Sequence, residues 1–288
     1  MYTLSRRAFC IGQRTCHKST IKTRWRPMLE PTNCVAIAYN STPLMSMRPL
    51  HTDRQSPAGP IDLIPFYQKF ISDNTKLVRD VPLVPEIRLR LITSDCELYR
   101  AGENELAVLR TEHNIEAPFW GFAWPGGATL ARYIIDNPHT VKGKRVLDIG
   151  AGCGIVALAC RLAGASHISV NDIDDCALAS CEINAHVNNM EFDCFDSTNL
   201  IGGSIPEEIP WDVVLAGDIC YDDEFASLAI AWLKQLAARG VDVVLGDPGR
   251  PYLPRTPDLH KIAEFDLSEA FIDENHGLSV GSLYRLKV

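Results

Sequence analysis

The stretch Val146-Leu147-Asp148-Ile149-Gly150-Ala151-Gly152-Cys153-Gly154, running into the apolar segment Ile155 to Ala163, leaves this chain few ways to fold. Arg145 to Ile149 is short, β-rich and apolar, as a central parallel strand must be. Gly150, Gly152 and Gly154 accept positive φ and let backbone N–H groups approach a ligand. Ile155 to Cys160 then continues as a helix packed on the sheet. A buried strand, a glycine turn and a helix make one unit of a doubly wound α/β sheet, whose ligand lies at the strand's carboxyl end.

The spacing of the turn narrows the ligand. A dinucleotide fingerprint needs glycine or alanine at the position held by Ile155, and the pattern here is G-x-G-x-G. Asp148 stands two residues ahead of Gly150. A carboxylate there repels a pyrophosphate but suits a ligand that carries an ammonium and a sulfonium. These residues point to S-adenosylmethionine and away from a nicotinamide dinucleotide.

Strands and helices go on alternating along the chain. His167 to Asp172 is a strand ending in an acid about 20 residues past the turn, where a carboxylate binds ribose hydroxyls. Asp174 and Asp175 open a helix through Asn188 and are accounted for as capping acids, which leaves Asp172 for the ribose. Phe192 to Phe195 is a short strand, with Asp196 placed to accept from an adenine amino group. Trp211 to Tyr221 is a buried strand ending in Asp218-x-x-Tyr221, and the helix Asp223 to Ala238 stops at Gly240. Asp242 to Arg250 is a further strand and turn. Leu278-Ser279-Val280 and Leu283 to Val288 suit an antiparallel edge pair. Asp148, Asp172, Asp196 and Asp218 thus all fall at the carboxyl ends of strands.

At 288 residues the chain has room for one large α/β domain with appendages. Its net charge of −8 argues against a general nucleic-acid binder. No apolar run approaches the roughly 20 residues that span a bilayer. The total charge hides a basic start: Arg6, Arg7, Arg14, Lys18, Lys22, Arg24 and Arg26 precede the first acid, Glu30. An Arg-rich, Ser/Thr-bearing, acid-poor start matches a mitochondrial or plastid transit peptide, the alternative being a disordered basic tail. The expected division is therefore a leader over 1–55, an extension over 56–115 and the core domain over 116–288. In the extension, Ile61 to Asn74 has helical spacing and Ile87 to Ile92 alternates as a half-exposed strand, with Leu98-Tyr99 a candidate for its partner. The ten cysteines include no C-x-x-C pair. Cys153, Cys160, Cys176 and Cys181 read as buried free thiols, and no metal site is expected.

A second informative stretch is Ala117-Pro118-Phe119-Trp120-Gly121-Phe122-Ala123-Trp124-Pro125-Gly126-Gly127, ahead of a helix over Ala128 to Ile135. Two Trp and two Phe among Pro and Gly form a rigid aromatic loop. It either seals the base of the domain or lids a flat or cationic ligand.

With these residues in hand, Ile87 to Val288 resembles the seven-β-strand, class I methyltransferases, over about two thirds of the chain. Within them it resembles the protein-lysine methyltransferases with a D-x-x-Y motif, here Asp218-Ile219-Cys220-Tyr221. Five blocks resemble the branch that acts on the electron transfer flavoprotein β-subunit. They are Trp124-Pro125-Gly126-Gly127, Asp136-Asn137-Pro138, Asn171-Asp172-Ile173-Asp174, Gly217-Asp218 with Tyr221-Asp222, and Gly246-Asp247-Pro248-Gly249-Arg250-Pro251. The glycine turn is common to many methyltransferases, whereas the W-P-G-G and G-D-P-G-R-P blocks together are specific. The resemblance implies a doubly wound seven-stranded, Rossmann-like sheet and methylation of lysines on that subunit in the mitochondrial matrix. It implies a cofactor pocket lined by Trp124, Asp148, Gly150, Ala151, Gly152, Gly154, Asp172, Ile173 and Asp196. Asp218 and Tyr221 fall at the substrate end. The expected state is a monomer whose partner is its protein substrate, with no nucleic acid and no membrane.

Transfer of a methyl group from a sulfonium to an amine is an in-line displacement on an activated carbon. It asks the protein for alignment, desolvation and a neutral amine. Asp218 is expected to attract the lysine ammonium, as anchor or base, and Tyr221 to orient it. Methyltransferases acting on planar nitrogens often resemble N/D-P-P-Y; Ile219-Cys220 lacks those prolines, so an aliphatic amine is preferred. Arg250 either steers an acidic substrate or closes a structural salt bridge, and Asp247 carries the same two readings. A methyltransferase for RNA or a small molecule, and a non-catalytic cofactor-binding protein, stay open as alternatives.

Overall fold

The computed structural model describes residues 65–113, 115–267, 271 and 277–288. The expected leader over 1–55 lies outside the described residues. The extension comprises α1 (Pro65–Asn74), β1 (Lys76–Val78), β2 (Leu89–Leu91) and α2 (Glu103–His113). Then follow α3 (Pro125–Asp136), β3 (Arg145–Ile149), α4 (Ile155–Leu162), β4 (His167–Asn171), α5 (Asp175–Val187) and β5 (Cys194–Asp196). The chain goes on through β6 (Val213–Gly217), α6 (Asp223–Ala238), β7 (Asp242–Asp247), β8 (Leu259–Asp266) and β9 (Val280–Leu286).

The expected seven-stranded sheet is present, in the order β5-β4-β3-β6-β7-β9-β8. β5, β4, β3, β6 and β7 run parallel, and β9 is antiparallel to both neighbours. Strand alternation sends Val213 and Leu215 to one face, with α3, α4 and α5. It sends Val214 and Ala216 to the other, with α6. Parallel strands covered on both faces explain why β3 and β6 read as continuous apolar runs. Among the described residues no helix is long and apolar enough to cross a membrane.

Three expectations are corrected. The partner of β2 is β1, and Leu98-Tyr99 lies instead in a 3-10 turn over Glu97–Arg100. β9 is one continuous strand from Val280, and its outer partner is β8. β8 carries His260, Lys261, Glu264 and Asp266, and charges of this kind blunt an edge strand while hiding its periodicity. Finally, α3 starts at Pro125, not Ala128, so Gly126 and Gly127 form its first turn. Proline at the first helical position loses no hydrogen bond there.

Those two glycines matter because α3 crosses directly over the ends of β6 and β7. A Cβ on Gly217 would lie 2.8 Å from the Gly127 Cα, and one on Gly126 or Gly246 would strike the other's backbone carbonyl. Four glycines thus permit backbone-to-backbone contact between a helix N-terminus and two strand ends.

The extension is held by side-chain amides of α5. Asn188 accepts from Arg88 N (3.0 Å) and donates to Arg88 O (2.7 Å), and Asn184 accepts from Arg90 N (2.6 Å). Residues one helical turn apart meet every second residue of β2, because the two rises nearly match. Asn184 also donates to Cys153 O at 2.9 Å, tying the extension to the glycine turn.

Gly246→Ala is expected to cost about 1–3 kcal/mol of folding stability, as overpacking against a backbone does. Urea unfolding checks this, and an unchanged midpoint would show that α3 does not press on the strand.

Candidate active site

Gly150, Gly152 and Gly154 stand at φ 66°, 53° and 78°, the left-handed backbone expected of them. The turn is tied down rather than open. Gly150 N and Ala151 N both donate to Asn171 O (2.9 and 3.1 Å), and Gly152 N donates to Asp172 Oδ2 at 3.0 Å. Behind Gly154 a Cβ would meet Cys181 at 3.1–3.3 Å, so only glycine fits there.

Asp148 is 1% exposed and accepts from Ala157 N of α4 at 2.9 Å. It lines a small recess together with Trp124, Gly150, Ala151, Gly152 and Gly217. Burial pushes the Asp148 carboxyl up to about 7, the Ala157 amide opposing and Asp172 adding to the shift. Asp172 is also raised by burial, against the amides of Gly152 and Asp174. Asp174 is the N-cap of α5, accepting from Cys176 N at 2.8 Å. Ile173 is 52% exposed beside Asp172. Asp196 turns its Oδ1 to the Thr198 amide (2.9 Å) and hydroxyl, and its backbone oxygen accepts from Asp172 N at 3.2 Å. Asp172 and Asp196 are therefore linked through the backbone at neighbouring strand ends.

The aromatic stretch divides between its two readings. Trp120 is sealed in the core, Phe119 is exposed, and Trp124 lines the recess with its indole N–H donating to Phe119 O at 2.9 Å.

Next to Gly217, which lines the recess, Asp218 has φ +58°, a rare backbone for a non-glycine residue. Continued strand alternation would carry its side chain towards α6. The left-handed step instead brings Oδ2 onto the Gly126 and Gly127 amides (the latter at 3.2 Å) at the positive end of α3. Oδ1 accepts from Arg250 Nε at 2.8 Å, and the guanidinium Nη2 lies 2.6 Å from the same oxygen as an ion pair. Burial pushes the Asp218 carboxyl up, while Arg250 and the Gly126 and Gly127 amides oppose the shift.

The Arg250 guanidinium also lies 5.6 Å from the centre of the Trp124 ring. Asp247 Oδ1 accepts from Gly249 N and Arg250 N, both at 2.7 Å, which fixes the turn from which Arg250 reaches back. Tyr221 is 42% exposed and stacks on Phe225 with ring centres 5.2 Å apart. Cys220 is buried and its thiol is pushed up to about 12, chiefly by burial, so it supplies no thiolate.

Sequence reasoning placed Asp148, Asp172, Asp196 and Asp218 on one rim, where the structure also puts them. It missed Asn184, whose signal is a polar residue on an apolar helix face. It offered the Arg250 salt bridge as one of two readings but gave no partner, because Asp218 lies 32 residues away in sequence.

Residues 104–250 match a family described as lysine methyltransferase. The chain is 36% identical to the electron transfer flavoprotein beta subunit lysine methyltransferase of Xenopus laevis, over 86% of this chain and 94% of that protein. The Homo sapiens protein of the same name is 36% identical, over 77% of this chain and 82% of its own length. Among solved structures, magnesium protoporphyrin IX methyltransferase from Synechocystis PCC 6803 aligns with a TM-score of 0.41 and 16% identity, over 56% of this chain and 78% of that one.

An aspartate whose pKa folding raises from 3.8 to about 7 adds stability that is complete below 3.8 and lost as pH rises through 7. Wild type is therefore expected to lose stability relative to Asp148→Asn across that window, by about 1.4 kcal/mol for each pH unit crossed. Unfolding at a series of pH values checks this, and parallel profiles would mean that Asp148 stays charged in the native protein.

Proposed function

The chain belongs to the lysine methyltransferase family and is an S-adenosylmethionine-dependent protein-lysine N-methyltransferase; on that premise we propose that its substrate is the electron transfer flavoprotein β-subunit, in the mitochondrial matrix. The observation that carries the substrate is the likeness to relatives so named over most of their length. The basic, acid-poor segment over residues 1–28 supports the compartment.

The recess fits the cofactor's chemistry. Asp148 is a buried acid that burial disfavours as an anion, and a cationic ligand beside it offsets that cost. In this reading Asp148 and the turn Gly150, Ala151, Gly152 and Gly154 hold the charged amino-acid end. Asp172 keeps unused acceptor capacity for ribose hydroxyls beyond the amides it already serves. Ile173 offers an exposed apolar face to the base, Asp196 an acceptor for its amino group, and Trp124 closes the recess. When bound, S-adenosylmethionine supplies a methyl group already activated on a sulfonium.

What remains for the chain is the acceptor. Lysine has a reference pKa of about 10.4 and arrives charged. Asp218 receives the ammonium at the strand end, and Tyr221, exposed on the next turn, orients it. Fixing the amine in line accounts for much of the rate, on the order of 7 kcal/mol in good intramolecular cases.

Labelled S-adenosylmethionine added to mitochondrial extract with the purified protein is expected to mark one band, carrying methyl-lysine. Label in RNA or metabolites, or none with cofactor still bound, would overturn this reading. Asp218→Asn is expected to lower turnover about 100-fold or more with cofactor affinity kept, as loss of a group that acts mainly in the transition state does. Asp172→Ala is expected to weaken cofactor binding about tenfold, measured by calorimetry, on loss of a charge-assisted hydrogen bond; unchanged affinity would remove its ribose role.

A further inference from the structure

The carboxylate assigned to the lysine is already occupied. Asp218 holds Arg250 on one oxygen, by a hydrogen bond and an ion pair, and accepts two bonds from the first turn of α3 on the other. The α3 amides belong to the fold and cannot leave. Arg250 can: its backbone N is pinned by Asp247, while its side chain alone carries the guanidinium to Asp218. That guanidinium sits between a carboxylate and the Trp124 ring, the surroundings that suit an alkylammonium too.

We propose that Arg250 is a specificity-determining residue: its guanidinium is the cation that the acceptor lysine displaces from Asp218. The inference rests on the reading that Asp218 receives the amine. Entry of the substrate is then an exchange of one cation for another on the same oxygen. A neutral side chain offers Asp218 nothing in return for Arg250 and does not enter, so the exchange selects lysine over a neutral polar side chain such as glutamine. The exchange also eases the chemistry. A carboxylate beside an ammonium favours the charged amine, which cannot attack. A tethered guanidinium competing for that carboxylate loosens its hold on the ammonium, and takes the place back once the ammonium has given its proton to solvent water and the amine is neutral. The charge on Asp218 stays matched throughout, as a buried carboxylate requires.

The test is steady-state kinetics of Arg250→Ala with the electron transfer flavoprotein β-subunit and S-adenosylmethionine, with and without guanidinium chloride at non-denaturing concentration. With the internal competitor removed, KM for the protein substrate is expected to fall roughly fivefold, a change in binding more than in turnover. Added guanidinium should then inhibit the variant competitively with the protein substrate and leave wild type unaffected. The opposite result, guanidinium restoring a lost kcat, would show that Arg250 must stay in place during turnover and would overturn the exchange. If Arg250→Ala does not fold, Arg250→Lys replaces the two-pronged contact by a point charge. Its KM is expected to fall as well, and an unchanged or higher KM overturns the proposal. Asp218→Asn in the same assay separates the two claims. Wild-type turnover there removes Asp218 as the acceptor's carboxylate. Lost turnover together with guanidinium rescue of Arg250→Ala leaves Asp218 standing and removes the exchange alone.

Discussion

The close approach of a helix N-terminus to two strand ends governs the rest of this molecule. Without side chains at Gly126, Gly127, Gly217 and Gly246, the backbone of α3 lies directly on β6 and β7. That contact brings the unpaired amides of the helix's first turn within reach of Asp218, and the left-handed step at Asp218 completes it. A helix start left bare in a protein interior costs several unsatisfied donors, and a buried carboxylate left bare costs more. Each answers the other's need. Trp124, one residue ahead of the helix, is carried to the recess by the same placement.

Much of this was legible in the sequence, for reasons that differ between elements. The parallel strands announced themselves because burial on both faces leaves only apolar residues, and α6 because Gly240 punctuates its end. β8 was invisible because an edge strand is charged where a central one is not. The start of α3 was misplaced because a Pro-Gly-Gly run reads as loop by local propensity. Its helical state depends on strands some 90 and 120 residues further on. Tertiary contact overrode propensity there, at the point on which the site is built.

The site itself was half legible for a related reason. An acid at the end of an apolar strand stands out in any sequence, so the four carboxylates could be placed by eye. Their partners could not. Asn184 fastens the glycine turn through Cys153 O and the extension through Arg90 N, yet it looks like one polar residue in a buried helix. Arg250 looks like a surface residue in a Pro-Gly turn until Asp247 is seen to bend that turn back towards Asp218.

Two buried carboxylates at neighbouring strand ends, Asp148 and Asp218, meet one electrostatic problem in opposite ways. Asp148 is buried with a single amide from α4 and, among the described residues, no basic side chain bonded to it, and its carboxyl is accordingly pushed up to about 7. Asp218 is buried with a guanidinium and two amides, which offset part of its cost within the chain. An anion that lacks a partner gains most from a cation arriving from outside; one already paired gains only if the newcomer does better than the resident. On the reading proposed above, the Asp148 end gains from any cationic ligand that fits it, whereas the Asp218 end compares a newcomer with Arg250. Both stand at neighbouring strand ends beside one aromatic ring, so that reading has the same sheet bind the donor freely and admit the acceptor selectively.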